Sequence, residues 1–162
     1  MDDLASMGAD IKWVKPANLH LTLRFLGETP ANKVEAIARA MAAACQGKPQ
    51  FELGFGSMGA FPGSGKPRVV WIGLEVGGEP LKALADALAI GLKEEGIALQ
   101  EEGREFKAHL TIGRSRSPKG AHCLAGKAAE WTKEKMALPR VLVDRLVLYE
   151  SRLSSAGPTY FP

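Results

Sequence analysis

Two copies of one short pattern carry the candidate chemistry. The first is Leu19-His20-Leu21-Thr22-Leu23-Arg24-Phe25-Leu26, and the second is Ala108-His109-Leu110-Thr111-Ile112-Gly113-Arg114. In each copy apolar residues alternate with the His and the Thr, which is the period of a strand with one face on a core. A His and a Thr two positions apart then share the other face, about 7 Å from one another along the strand. An imidazole that titrates near pH 6.5 serves as general base or general acid around neutrality. With two of them, one neutral ring takes a proton from an attacking hydroxyl while the other, protonated, gives one to the departing oxygen. In-line displacement at phosphorus needs the two on opposite sides of the phosphate. The Thr hydroxyls, with Arg24 or Arg114, would bind the non-bridging oxygens, where transition-state charge concentrates. This scheme needs no metal and no cofactor. Strict alternation turns Arg114 away from the face of His109, so its use requires a β-bulge or a strand end there.

The elements that must position these groups follow from the local pattern. Asp10–Val14 alternates as a short strand, Pro16 stops it, and Asn18 leads into the first His motif. Thr29 followed by Pro30 reads as a helix N-cap and first turn, and Val34, Ile37, Ala38, Met41 and Cys45 follow at helical spacing until Gly47. Residues 51–55 alternate as a strand, 59–67 form a Gly- and Pro-rich loop, and 68–74 form a nearly continuous apolar strand. A second helix is predicted from about Pro80 to Glu95, with Leu81, Leu84, Ala85, Leu88 and Leu92 inward and Gly96 ending it. Ile97–Leu99 begins another strand ahead of the second His motif. A basic loop (115–120), a weaker helix (121–135) and a long strand (141–149) complete the order, and Gly157-Pro158 turns the tail. The fold class is therefore α+β. It consists of two pseudo-symmetric lobes of mainly antiparallel sheet, roughly 10–76 and 79–160, with helices packed outside. One His-x-Thr strand per lobe faces a central cleft, and strands are free to exchange between lobes.

The bulk properties of the 162 residues narrow the classes. Hydrophobic content of 46% with 24% charged residues is that of an ordinary globular chain and disfavours disorder. No apolar run reaches membrane-spanning length, and the start lacks the regions of a secretory signal, so a cytoplasmic location without membrane partners is expected. Cys45 and Cys123 have no metal-ligand spacing and read as reduced thiols. A net charge of +3 is too small to specify nucleic acid by itself.

Both tetrapeptides, His20-Leu21-Thr22-Leu23 and His109-Leu110-Thr111-Ile112, resemble the paired signature of the 2H phosphoesterase superfamily. The flanking Trp13-Val14, Pro16, Asn18-Leu19, Phe25-Leu26-Gly27-Glu28, Phe61-Pro62, Pro67–Trp71 and Leu148–Ser151 resemble its RNA 2′,3′-cyclic phosphodiesterase branch, also called the 2′-5′ RNA ligase family. The resemblance runs from about residue 10 to residue 160, as one bilobal domain over 1–162. It implies opening of a terminal 2′,3′-cyclic phosphate of RNA to a 2′-phosphate without metal or ATP. Carried over, His20 would be the acid for the leaving 3′ oxygen, His109 the base for water, Thr22 and Thr111 phosphate binders, and Arg114 the clamp in preference to Arg24. Reverse 2′-5′ joining would use the same pair. The family's outer strands at both ends are expected to be missing, which would leave sheet edges open to a second chain. The alternatives are a non-catalytic nucleotide- or RNA-binding module, and a 2H phosphodiesterase acting on small cyclic nucleotides.

Other residues invite functional readings of lower specificity. Tyr149 on the last strand is a candidate for stacking on a base or bonding a phosphate. Phe25, Trp13 and Trp71 read as core. His122 reads as a surface residue at a helix start, and Lys133–Lys135 as a helix surface. Gly63-Ser64-Gly65-Lys66 fails as a phosphate-binding P-loop, because Pro67 stands where a Ser or Thr would hold magnesium.

Overall fold

Small and branched aliphatic side chains decide how the helices meet. The computed structural model describes residues 11–63, 67–100, 106–116, 138–155 and 157–162. Helix α1 is Val34–Cys45 and helix α2 is Gly78–Glu94. On α2 the inward residues are those expected, Leu81, Leu84, Ala85, Leu88 and Leu92, joined by Gly91. On α1 the buried stripe is Ala36, Ile37, Ala40 and Ala44, while Val34, Ala38 and Cys45 are exposed. The helix is rotated from the expected face because its alanine row allows close approach. A Cβ added to Gly91 would stand 3.3 Å from the Ala40 carbonyl oxygen. Larger side chains in that row would hold the two backbones apart.

The helix ends also differ in detail from the sequence reading. Thr29 does not cap α1. Its hydroxyl donates to the Gly27 carbonyl at 3.1 Å, Pro30 stays extended, and a 3₁₀ turn at Ala31–Lys33 precedes the helix. Gly47, at φ +71°, follows the helix end. At the end of α2 the amide of Gly96 bonds the Lys93 carbonyl at 3.0 Å and that of Ile97 bonds the Leu92 carbonyl at 2.9 Å. With Gly96 at φ +68°, this is a Schellman termination. Ile97 is thereby drawn into the helix core, which is why Ile97–Leu99 forms no strand.

Seven strands lie among the described residues: β1 (Ile11–Trp13), β2 (Phe51–Phe61), β3 (Val69–Val76), β4 (Leu110–Ser115), β5 (Val141–Val143), β6 (Glu150–Ser154) and β7 (Gly157–Phe161). One sheet has the order β1-β4-β3-β2-β5, and β6 pairs with β7 in a separate hairpin. Every pairing with an observed register is antiparallel, so the α+β class holds. β2 runs to Phe61, six residues beyond the expected strand end. The expected strand over 141–149 stops at Val143, and Leu146 and Leu148 pack instead against the helix core.

Two units arise from this pairing, each built from three stretches of chain. The first takes Met1–Leu21, Leu53–Val76 and His109–Val141; the second takes Thr22–Glu52, Gly77–Ala108 and Leu142–Pro162. Lobes cut as 10–76 and 79–160 cross this division, because antiparallel partners are drawn from distant sequence. Met58, Val70 and Ile112, with Ile11, Trp13, Ile72 and Leu110, form the core of the first unit. The helices and residues such as Leu23, Leu26 and Phe51 form that of the second. The expected helix over 121–135, the basic loop beyond Arg116, and His122 lie outside the described residues. Among the described residues no helix is long and apolar enough to cross a membrane.

Leu92 is 1% exposed in the helix core. Leu92→Ala is expected to lower unfolding free energy by about 2–5 kcal/mol, read from a urea titration with unchanged slope.

Candidate active site

The first His motif is held by a turn and a single bridge. Lys15-Pro16 opens a 3₁₀ turn, in which the Asn18 amide bonds the Lys15 carbonyl at 2.8 Å and the Leu19 amide the Pro16 carbonyl at 3.1 Å. The Asn18 carbonyl oxygen lies 2.8 Å from His20 Nδ1. A carbonyl only accepts, so Nδ1 carries the hydrogen of this contact and, in the neutral ring, Nε2 keeps the lone pair. Leu21 then forms an antiparallel bridge with Leu110 of β4. Such a bridge sets residue 20 across from residue 111, and 109 one diagonal step away. His20, His109 and Thr111 therefore share one face, with the two histidines roughly 7–8 Å apart at the backbone. Both histidines belong to the first unit, rather than one to each lobe.

A bulge in β4 decides the orientation of the rest of the second motif. Ile72 pairs with Leu110 and Trp71 with Thr111, but Val70 pairs with Gly113 and Val69 with Arg114. Ile112 is the extra residue. Gly113 accordingly faces the core, where a Cβ would come within 2.8 Å of Ile11 and 3.0 Å of the Trp13 ring. Arg114, opposite Val69, returns to the face of Trp71, Thr111 and His109. It is exposed and makes no hydrogen bond or ion pair among the described residues. On its other side it pairs with Lys12 of β1.

His109 stands against two aromatic rings. Its imidazole meets Phe61 edge-on, with centroids 5.3 Å apart at 86°, and Trp71 at 6.5 Å and 67°. Phe61 and Trp71 are 5.1 Å apart. The indole lies across Gly59, its β2 partner, where any Cβ would run into the ring. Trp71 Nε1 is buried without an acceptor among the described residues. Trp71 was expected in the core; it lies half-buried as the wall of His109. The continuous apolar run of 68–74 hides this, since it has no period from which to read a face.

The other sequence candidates lie in the second unit. Thr22 is exposed and outside any strand. The chain leaves strand geometry after Leu21, so the expected alternation lapses. Phe25, expected inward, is 57% exposed, and Leu19 is also exposed. Arg24 turns into its own unit, 3.4 Å from Asp86 and 5.8 Å over the Phe106 ring, with its side chain 17% exposed. Asp86 also receives Lys82 at 2.7 Å. The hydrogen bond from Lys82, with smaller electrostatic help from Lys82 and Arg24, holds the Asp86 carboxyl below its usual range. Tyr149 is exposed and meets Tyr160 edge-on at 6.0 Å. Of Gly63–Lys66, only Gly63 lies within the described residues. No group of three His, Cys, Asp or Glu able to hold a metal occurs among the described residues.

Comparison with known proteins places these features in a family context. Residues 9–154 match the family model of the 2′-5′ RNA ligase superfamily. A protein of Archaeoglobus fulgidus named RNA 2′,3′-cyclic phosphodiesterase is 36% identical over 152 residues, 93% of this chain and 80% of the relative. One of Methanothermobacter thermautotrophicus with the same name is 32% identical over 159 residues, 98% of this chain and 83% of the relative. Among solved structures, TT0787 of Thermus thermophilus superposes with TM-score 0.73 at 26% identity, covering 99% of this chain and 84% of its own. E. coli LigT complexed with 3′-AMP gives 0.68 at 26% identity, covering 95% and 79%.

Two outcomes follow from the local geometry. Asp86→Asn is expected to cost up to about 1 kcal/mol at pH 7, as for exposed pairs. A carboxyl lowered in the folded state stabilises above its unfolded value and loses that contribution as pH falls through its folded value. The gap between wild type and variant in thermal midpoint should therefore close below about pH 4. Gly59→Val is expected to displace the Trp71 indole, altering near-ultraviolet circular dichroism and Trp emission while the far-ultraviolet spectrum is retained.

Proposed function

The chain belongs to the 2′-5′ RNA ligase superfamily, and from that membership we propose that it opens the terminal 2′,3′-cyclic phosphate of RNA to a 2′-phosphate by two-histidine acid–base catalysis. The observation that supports this reading best is the Leu21–Leu110 bridge, since antiparallel register then carries His20 and His109 to one sheet face.

Water attacks phosphorus as His109 takes its proton. The bond from phosphorus to the 3′ oxygen breaks, and His20 Nε2 gives that oxygen a proton. The products are a 2′-phosphate and a 3′-hydroxyl, and the histidines end in exchanged protonation states. Water restores them. The Asn18 carbonyl fixes the tautomer and direction of the His20 ring. The Thr111 hydroxyl donates to a non-bridging oxygen, and Arg114, returned to this face by the bulge, adds a charge-assisted donor. By resemblance to the first family motif, Thr22 takes the role matching Thr111. Arg24, committed to Asp86, is a structural residue in this reading. With a 5′-hydroxyl end in place of water, the same pair in the same roles joins that end to the cyclic phosphate through a 2′-5′ bond and frees the 3′-hydroxyl, with water favouring hydrolysis.

The test is turnover of an oligonucleotide ending in a 2′,3′-cyclic phosphate, in EDTA, with the product identified. Wild type should yield the 2′-phosphate with a bell-shaped pH dependence of kcat/KM. His20→Ala and His109→Ala should each fall by about 10²- to 10⁴-fold and lose one limb of the bell. Formation of a 3′-phosphate, or near-wild-type turnover by either variant, would contradict the proposal.

A further inference from the structure

Lys12 occupies a position on the site face that the chemistry above leaves unused. Ile11 and Trp13 pack in the core of the first unit, so Lys12 between them projects to the opposite face. It pairs directly with Arg114, and the bulge at Ile112 puts Arg114 on the face of Thr111 and His109. Lys12 and His20 thus lie along the same edge of β4, one opposite Arg114 and the other opposite Thr111. The extra residue between them makes the offset one strand repeat, about 7 Å. Lys12 and Arg114 thus bring two cationic side chains to this face, next to His109 and Thr111. Both residues are exposed.

We infer that Lys12 binds the phosphodiester next to the cyclic phosphate, so that the site prefers the end of an RNA strand to a free cyclic mononucleotide. Arg114 reaches back toward the terminal phosphate, and Lys12, one strand further out, meets the neighbouring one. Its contribution is electrostatic, independent of base sequence, and weakened by salt. This rests on the reading that His20 and His109 grip the terminal phosphate.

The experiment compares kcat/KM for a cyclic-phosphate-terminated oligonucleotide and for a mononucleoside 2′,3′-cyclic phosphate over a series of salt concentrations. Lys12→Gln is expected to lose several-fold more on the oligonucleotide than on the mononucleotide. It should also flatten the log–log salt dependence for the oligonucleotide by about 0.7, the value for one single-strand phosphate contact. Lys12→Arg should restore both. Equal losses on the two substrates, or an unchanged salt slope, would overturn the assignment. A wild-type protein that turns over neither substrate would overturn the phosphodiesterase reading instead. In that case the salt slope of binding to an oligonucleotide ending in a 2′-phosphate still decides the role of Lys12.

Discussion

Register along β4 is the constraint on which the site depends. Side chains alternate across a strand, so a slip of one residue moves every group to the other face. Two register choices are made here. The bridge between Leu21 and Leu110 commits His20, His109 and Thr111 to a common face. The bulge at Ile112 then returns Arg114 to that face, where regular pairing would have sent Gly113. A bulge forfeits regular ladder pairing, and the core beneath it stabilises the distortion. Val70 and Ile112 are buried there, and Trp13 fills the space that a side chain on Gly113 would need.

Polar groups divide between chemistry and support in a way that residue type alone does not reveal. Arg24 and Arg114 each follow a His-x-Thr pattern, yet Arg24 is held by Asp86 and Phe106 within the second unit while Arg114 stays exposed. In that unit stability comes from the alanine-lined approach of α1 to α2 and the Schellman end of α2, while the Arg39–Glu95 pair at 2.7 Å sits exposed at the surface. In the first unit the same sheet that packs Ile11, Trp13 and Ile72 on one face presents Lys12, Thr111 and His109 on the other.

Much of this was legible in the chain because period and caps are local. The stripe of α2, the Gly96 stop, and strands β1 and β3 all follow from spacing. That Arg114 could join its motif only through a bulge or a strand end was legible too, and the register of β4 shows the bulge. What failed depended on distant partners. The face of α1 was set by the fit of its alanines to Gly91, and Ile97 was claimed by a helix cap. The segment after Val143 left the sheet to seal the helix core. Phe25 was misread because alternation predicts burial only where pairing continues, and pairing ends at Leu21. Trp71 and Lys12 gave no signal: one sits in an unbroken apolar run, the other is an ordinary lysine in a three-residue strand.

The most direct measurement is a crystal structure with an oligonucleotide ending in a 2′-phosphate, the proposed product. The account predicts phosphate oxygens within about 2.6–3.2 Å of His20 Nε2 and of a ring nitrogen of His109 at once, with the Thr111 hydroxyl on a third contact. A phosphate held by only one imidazole, or bound away from this sheet face, would contradict it.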